Sequence, residues 1–366
     1  MVLNHLSILN YRNIAAAELD FCDGINCLIG NNGEGKTNLL DAVYFLSLSK
    51  SSFTAQDSLC IRHGADMMAL GGDYRTEEGT QESIRVGLKR GQKKVMRRGA
   101  KAYKRLSEHI GFIPLVMISP DDNMLVSGES SERRRFLDAV IAQTSAPYLD
   151  ALTEYAKALQ QRNALLKMED EPDPTLLSLW EEEMARHGEY IYRSRRDFIE
   201  QFIPVFQSTY ETISRQHETV SLSYVSHGDR GPLLDTIRGG RQRDRAVGYS
   251  LHGIHRDDLE MMLEGYPMRR EASQGQTKTY VLALKLAQFS FLKKTASGTT
   301  PLLLLDDIFD KLDAKRVEQI IKLVARPDYG QIFITDTNRD HLDHILQHVG
   351  EDYKLFHVED GNATQC

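Results

Sequence analysis

Ile25-Asn26-Cys27-Leu28-Ile29-Gly30-Asn31-Asn32-Gly33-Glu34-Gly35-Lys36-Thr37-Asn38-Leu39-Leu40 is the stretch on which the reading of this chain turns. Residues 25–29 form a short apolar run of strand length, and Gly30 to Thr37 matches G-x-x-x-x-G-K-[ST]. Leu39, Leu40, Val43 and Leu46 then recur at helical spacing, which predicts a helix over 36–48. A strand, a glycine-rich turn and a helix in that order make a phosphate cradle. Gly30, Gly33 and Gly35 let backbone N–H groups turn inward, and the helix start adds the positive end of its dipole. Lys36 reaches the β- and γ-phosphates, and Thr37 offers its hydroxyl to Mg2+. Asn31, Asn32, Glu34 and Asn38 complete the loop and first turn, so all nine residues from Gly30 to Asn38 are expected around the nucleotide.

Such a loop needs an acidic partner element. Leu302-Leu303-Leu304-Leu305-Asp306-Asp307 supplies one, a buried strand that ends in two carboxylates. Asp306 is placed to hold Mg2+ through water, and Asp307 to polarise an attacking water, so Asp307 and Lys36 are the expected catalytic groups. Between loop and strand lies Ser273-Gln274-Gly275-Gln276, just ahead of a helix over 275–294. Read alone, this tetrapeptide is a helix cap. Thr337-Asn338-Arg339-Asp340 does not match the N-K-x-D guanine reader, which favours ATP as the nucleotide.

The rest of the chain organises around these motifs. Strands are predicted over 3–10, 16–21 and 25–29, a hairpin over 83–98 and a strand over 115–118. From residue 128 the period becomes helical, with helices over 132–143 and 148–168 and a third carrying Leu177, Met184, Ile191, Phe198 and Val205 at seven-residue intervals. The last two are expected to pack as an antiparallel αα-hairpin, a structural lobe. Strands over 219–225, 258–263, 302–305 and 331–335 then alternate with helices over 233–248, 275–294, 314–325 and 339–348. The expected fold is therefore one α/β head with a P-loop and mixed sheet, residues 1–127 plus 219–366, interrupted by a helical arm over 128–218. His341, His344 and His348 share a helix face beside an apolar one and read as solvated rather than metal-binding.

Composition fits a globular chain: 366 residues, 27% charged and 41% hydrophobic, with no apolar run of membrane-spanning length. The first residues lack a signal peptide pattern, so a cytoplasmic location is expected. Cys22, Cys27, Cys60 and Cys366 form no C-x-x-C pair and read as free thiols. The net charge of −7 argues against nucleic acid, but its distribution does not. Ten cations lie between Arg85 and Arg105 with no acid among them. Lys89, Arg90, Lys93, Lys94, Arg97, Arg98 and Lys101 on that hairpin are the expected DNA contacts, through phosphate rather than base, with Arg133 to Arg135 and Arg238 to Arg245 as extensions.

The order of P-loop, Ser-Gly-Gln helix start and apolar strand with two acids resembles an ABC-type ATPase head. Further motifs narrow the resemblance to the RecF family of bacterial recombination proteins. Leu9-Asn10-Tyr11-Arg12-Asn13 resembles its L-x-F-R-N opening, and residues 32–48 resemble N-G-x-G-K-T-N-L-L-E-A with Asp41 for Glu. Ser119-Pro120-Asp121-Asp122 through Arg133-Arg134-Arg135-Phe136-Leu137-Asp138, and Gly253-Ile254-His255-Arg256-Asp257-Asp258-Leu259, match two more of its elements. The chain departs from the wider pattern at Thr335-Asp336-Thr337, where such heads carry a histidine, at Ile254 for a proline and at Asn123 for a leucine; no glutamine stands near 119–122.

The resemblance implies an ATP-bound homodimer in which Ser273, Gln274, Gly275 and Gln276 act across the interface, a D-loop at Asp310 to Asp313, and Arg12 and Asn13 beside the nucleotide. It further implies slow ATP hydrolysis and binding to duplex, gapped and single-stranded DNA in repair. RecO and RecR are the implied partners, loading RecA, with links to replication restart and the SOS response. Two other functions fit the same motifs less well. A transporter's ATP-binding subunit has no use for the arm and basic hairpin, and a passive scaffold would hold ATP without turning it over.

Overall fold

The computed structural model describes residues 1–214, 218–295, 299–308, 327–337 and 353–366. The expected helices over 314–325 and 339–348, the histidine face at 341–348 and the 310–313 turn lie outside the described residues.

The chain opens with β1 (Val2–Tyr11) and β2 (Ile14–Asp20), a hairpin in which Tyr11 faces Ile14 across Arg12-Asn13. β3 (Ile25–Ile29) leads through the glycine loop into α1 (Lys36–Leu48). Gly35 caps that helix at φ 113°, a conformation open to glycine at no steric cost. Next come β4 (Met67–Arg75), β5 (Gln81–Lys89), β6 (Val95–Arg98) and β7 (Lys101–Ala102). They join the first hairpin in an antiparallel sheet of order β2-β1-β4-β5-β6-β7. The basic hairpin is present as β5 and β6, with Arg85 opposite Arg97. β4 is not among the expected strands, because Gly71-Gly72 breaks its alternation. Both positions need a missing side chain: a Cβ at Gly71 would lie 2.3 Å from Ser7 Oγ, and one at Gly72 2.6 Å from the Tyr74 ring. Leu6, Ile8, Met68, Leu70, Ile84, Val86 and Met96 belong to one buried cluster with Val43, Phe45 and Leu46 of α1.

After β8 (Leu115–Ile118) come α2 (Met124–Ser127), α3 (Ser130–Thr144), α4 (Ala146–Leu166) and α5 (Pro174–Ser214). The αα-hairpin is antiparallel and in heptad register: Arg162 meets Glu181, Tyr155 closes on Gly188, and Tyr148 meets Arg195. The seven-residue stripe holds to Phe198. Beyond it Val205 leaves the buried side, and Phe202, Phe206 and Tyr210 replace it. β9 (Val220–Val225), α6 (Leu233–Gly239), α7 (Arg241–Val247), β10 (Asp258–Leu263), β11 (Tyr266–Pro267), α8 (Met268–Glu271) and α9 (Gln274–Thr295) follow. The single helix expected over 233–248 breaks at Gly240, where a Cβ would lie 2.4 Å from His252 Nδ1. β12 (Leu302–Asp306), β13 (Ile332–Asp336), β14 (Tyr353–Glu359) and β15 (Asn362–Gln365) close the chain.

The second large sheet has the order β15-β14-β3-β13-β12-β8, parallel throughout except for the β14 and β15 hairpin. This is the mixed sheet of the expected α/β architecture. The chain divides into two compact units, 1–122 with 282–366, and 123–281. Residues 219–281, assigned to the head from sequence, thus fold with the arm. The reason is local: among the described residues β9, β10 and β11 pair only with one another, in a separate sheet of order β11-β10-β9, and β9 packs on α5. Among the described residues no helix is long and apolar enough to cross a membrane.

Candidate functional site

Strand order decides what meets at the carboxyl edge of the second sheet. β13 lies between β3 and β12, with Asp306 in register with Thr335 and Thr335 with Leu28. The loop after β3 and the acid ending β12 are therefore one strand apart. Thr37 Oγ1 donates to Asp306 Oδ1 at 2.9 Å, and Thr335 Oγ1 donates to the same oxygen at 2.7 Å. The backbone N–H of Asp307 donates to Thr335 Oγ1 at 3.0 Å, and Asp307 takes a left-handed backbone, φ 45°. Asp306 is buried, and that burial raises its carboxyl above the ordinary range against the two threonine hydroxyls and Lys36, which favour the charged form. A hydroxyl and a carboxylate within hydrogen-bond reach, with Asp306 Oδ2 taking neither threonine bond, are the hard oxygen donors that Mg2+ prefers.

Lys36 is buried, and its Nζ donates to the carbonyls of Gly30 at 2.8 Å and Asn31 at 2.9 Å. It arches over the loop it belongs to. Asn13 lies on the opposite flank: its Nδ2 donates to Glu34 O at 3.2 Å, its Oδ1 accepts from Asn38 Nδ2 at 2.7 Å, and a Cβ at Gly35 would strike it at 2.8 Å. Arg12 is turned elsewhere. Its Nε donates to the buried Asp41 at 3.0 Å and its Nη2 to Ser51 Oγ at 2.7 Å. Asp41 also accepts from Tyr11 OH at 2.7 Å, Ser51 Oγ at 2.8 Å and the Ser52 N–H at 2.8 Å, which ties the L-x-F-R-N turn to α1.

Ser273 and Gln274 are exposed in the unit that holds the arm. Ser273 N–H donates to Gln276 Oε1 at 2.9 Å and Gln276 N–H to Ser273 Oγ at 3.2 Å, a capping box that leaves the tetrapeptide at the surface.

The basic hairpin needs correction. Residues 85–105 contain no acid, but the neighbouring strands and loops provide several. Arg85 pairs with Asp73 at 2.6 Å, and Lys94 with Asp57 at 2.8 Å. Arg98 donates to Glu82 at 2.9 Å while its guanidinium lies 3.7 Å over the Phe112 ring. Lys89, Lys93, Arg97 and Lys101 stay exposed, with no acidic partner among the described residues; exposed Arg90 donates to Ala65 O at 2.9 Å.

Most of the expected extensions are committed to the fold, while Arg135, beside Glu132 of its own helix, and Arg243 stay exposed. Arg133 is buried against Asp258 at 2.6 Å, and Arg134 donates to the Asp257 carbonyl at 2.6 Å. Arg238 pairs with Glu182 at 2.7 Å, Arg241 is bound to buried Glu181, and Arg245 donates to Leu166 O at 2.9 Å. The G-x-H-R-D-D-L element is an anchor: Asp257 is buried and accepts from Arg195 Nη1 at 2.9 Å and Ser226 Oγ at 2.7 Å.

From sequence, Thr335 and Asp41 stood only as departures from the wider pattern, with no part in the site, and the β14 and β15 turn beside the loop was missed.

The chain matches the RecF/RecN/SMC N-terminal domain model over residues 2–363, and is 59% identical over 365 residues to the DNA replication and repair protein RecF of Phocaeicola vulgatus. It belongs to the RecF family. That match covers 100% of this chain and 98% of the relative, and the RecF of Porphyromonas gingivalis is 48% identical with both chains fully covered. Among solved structures, the recombination mediator protein RecF-ATPrS of the RecFOR pathway superposes with a TM-score of 0.89 at 28% identity, covering 99% of this chain and 97% of that one. RecF-ATP gives 0.88 at 28% identity, covering 100% and 97%. An Smc head bound to the C-winged helix domain of ScpA gives 0.60 at 16% identity, covering 100% and 97%, a likeness of fold. The fold is that of an ABC-like ATPase head.

Proposed function

We propose that this chain is an ATP-dependent DNA-binding protein of recombinational repair, in which ATP joins two copies on DNA and slow hydrolysis releases them. The observation that carries the reading is the convergence of Lys36, Thr37 and Asp306 at the ends of β3 and β12, one strand apart, in a chain 59% identical along its length to a RecF. Bound ATP and Mg2+ supply the phosphoryl chemistry. The N–H groups of the 30–37 loop hold phosphate, and Lys36 Nζ leaves its two carbonyls for the terminal phosphates. Thr37 and Asp306 hold the metal, and Asp307 polarises the water. Asn13 supports the loop from its flank, whereas Arg12, committed to Asp41, steadies the turn that carries Asn13.

Ser273 and Gln274, exposed at a helix start, together with half-buried Gly275 and Gln276, serve the nucleotide of a second copy. Lys89, Lys93, Arg97 and Lys101 contact DNA phosphates, with Arg90 beside them. The RecFOR pathway named for the solved relatives supports RecO and RecR as partners; loading of RecA, in the cytoplasm, belongs to the same proposal.

Two substitutions test the site. Lys36→Met is expected to abolish ATP binding in calorimetry, while Asp307→Asn keeps binding and loses turnover. Wild-type turnover by Asp307→Asn would move the catalytic base elsewhere, and absence of any turnover in the native chain would leave a passive scaffold.

A further inference from the structure

The P-loop is held from outside by the far end of the chain. β14 and β15 join through Asp360-Gly361, both at positive φ (49° and 77°), the backbone of a tight two-residue hairpin turn. This turn lies on the loop. Gly361 N–H donates to Glu34 O at 2.8 Å, and Asp360 N–H donates to the Glu34 carboxylate. Asn13 Nδ2 donates to the same Glu34 carbonyl at 3.2 Å. The approach is close: a Cβ at Gly361 would lie 2.7 Å from Asn13 O, and one at Gly30 2.1 Å from Val358 O. Gly30, the first glycine of the motif, thus answers to β14 as well as to a phosphate.

A peptide unit is planar and trans, so its C=O and N–H point to opposite sides. Two donors that fix the Glu34 carbonyl outward therefore fix the Gly35 N–H inward. We infer that Glu34 and the Asp360-Gly361 turn are positioning elements of the phosphate loop: the carboxyl-terminal hairpin latches the Glu34-Gly35 peptide so that the Gly35 N–H faces the bound phosphate. Both act through the backbone of the loop, the Glu34 carboxylate serving the turn rather than the phosphate. The inference rests on the 30–37 loop binding ATP, as proposed above.

The latch gives Glu34 a use that the P-loop pattern does not demand, since that position is free in G-x-x-x-x-G-K-[ST]. It also explains the glycine at 361, where a side chain meets both the strain of its φ and the backbone of Asn13.

The test compares ATP affinity by calorimetry with the melting temperature of the nucleotide-free protein. Glu34→Ala, in a half-exposed loop position, removes one latch bond and is expected to weaken ATP about fivefold, the scale of one hydrogen bond, while leaving the nucleotide-free melting temperature unchanged. Glu34→Gln keeps an acceptor and is expected to bind within about twofold of the native chain. Gly361→Ala, which must lift the turn away from the loop, is expected to weaken ATP by about tenfold. Native affinity in both Glu34→Ala and Gly361→Ala overturns the latch, as does a lower melting temperature with unchanged affinity, which marks a purely structural turn. Lys36→Met run alongside separates the two readings. If it loses ATP while the latch variants do not, only the latch fails; if it too binds normally, the nucleotide site itself is wrong.

Discussion

Asp306 concentrates the tension between folding and function. Burial raises its carboxyl, so Asp306 takes up a proton more readily in the folded chain than in the unfolded one. Such a group adds stability below its unfolded pKa and loses it as pH rises through the raised folded value. Asp306→Asn, which keeps an acceptor for Thr37 and Thr335, is thus expected to stabilise the nucleotide-free protein at pH 7 by about 1 kcal/mol and to have little effect near pH 4. The same variant is expected to lose the added stability that ATP with Mg2+ confers. Thermal melts at both pH values, with and without ATP and Mg2+, check both arms; equal melting temperatures at pH 7 would mean that the buried carboxylate costs nothing.

Lys36, Thr37 and Asp306 were legible because loop and strand carry local patterns. Thr335 was not. From sequence it marked only the loss of a histidine, and its placement between Thr37 and Asp306 follows from β13 lying between β3 and β12, an order no local pattern contains.

At the scale of elements, the basic hairpin was legible in outline and misread in charge. Its alternation and turn glycine gave β5 and β6, but the acids that neutralise it come from β4, the start of β5 and the 49–57 stretch, outside any window drawn on the cations. The structure divides the hairpin into two sets with opposite expectations. Replacing Lys93, Arg97 and Lys101 with alanine is expected to weaken duplex binding and flatten its salt dependence by about 0.9 for each phosphate no longer neutralised, at unchanged melting temperature. Arg98→Ala is expected to act the other way, with stability reduced by about 1 kcal/mol through loss of Glu82 and the Phe112 face, and the salt slope kept. Salt titrations of duplex binding beside thermal melts separate the sets; an unchanged slope in the triple variant would move the DNA path off this hairpin. β4 and the β14 and β15 hairpin escaped the sequence reading because glycine pairs and short polar strands carry little periodicity, and their places are set by neighbours far along the chain.

For the whole molecule, the role proposed for residues 273–276 makes assembly the property to test. Ser273 is exposed and its hydroxyl only caps its own helix. Ser273→Arg is therefore expected to leave ATP binding intact and to abolish ATP-induced dimerisation in sedimentation velocity, because a bulky cation would stand where the helix start meets the second copy's nucleotide. A dimer boundary like that of the native chain would reduce the tetrapeptide to a cap.

The placing of β3 has a further consequence, for the order in which the protein can be made. β3 is residues 25–29, yet both strands that flank it, β13 and β14, come from residues 332–359, and the glycine loop that follows it rests on Gly361. Synthesis proceeds from the amino end, and on the ribosome the loop is extruded long before either neighbour exists. A nascent chain therefore holds the phosphate motif in full before the framework that shapes it exists. Under the proposed function, ATP uptake and the pairing of two copies both wait until residues 332–361 have emerged.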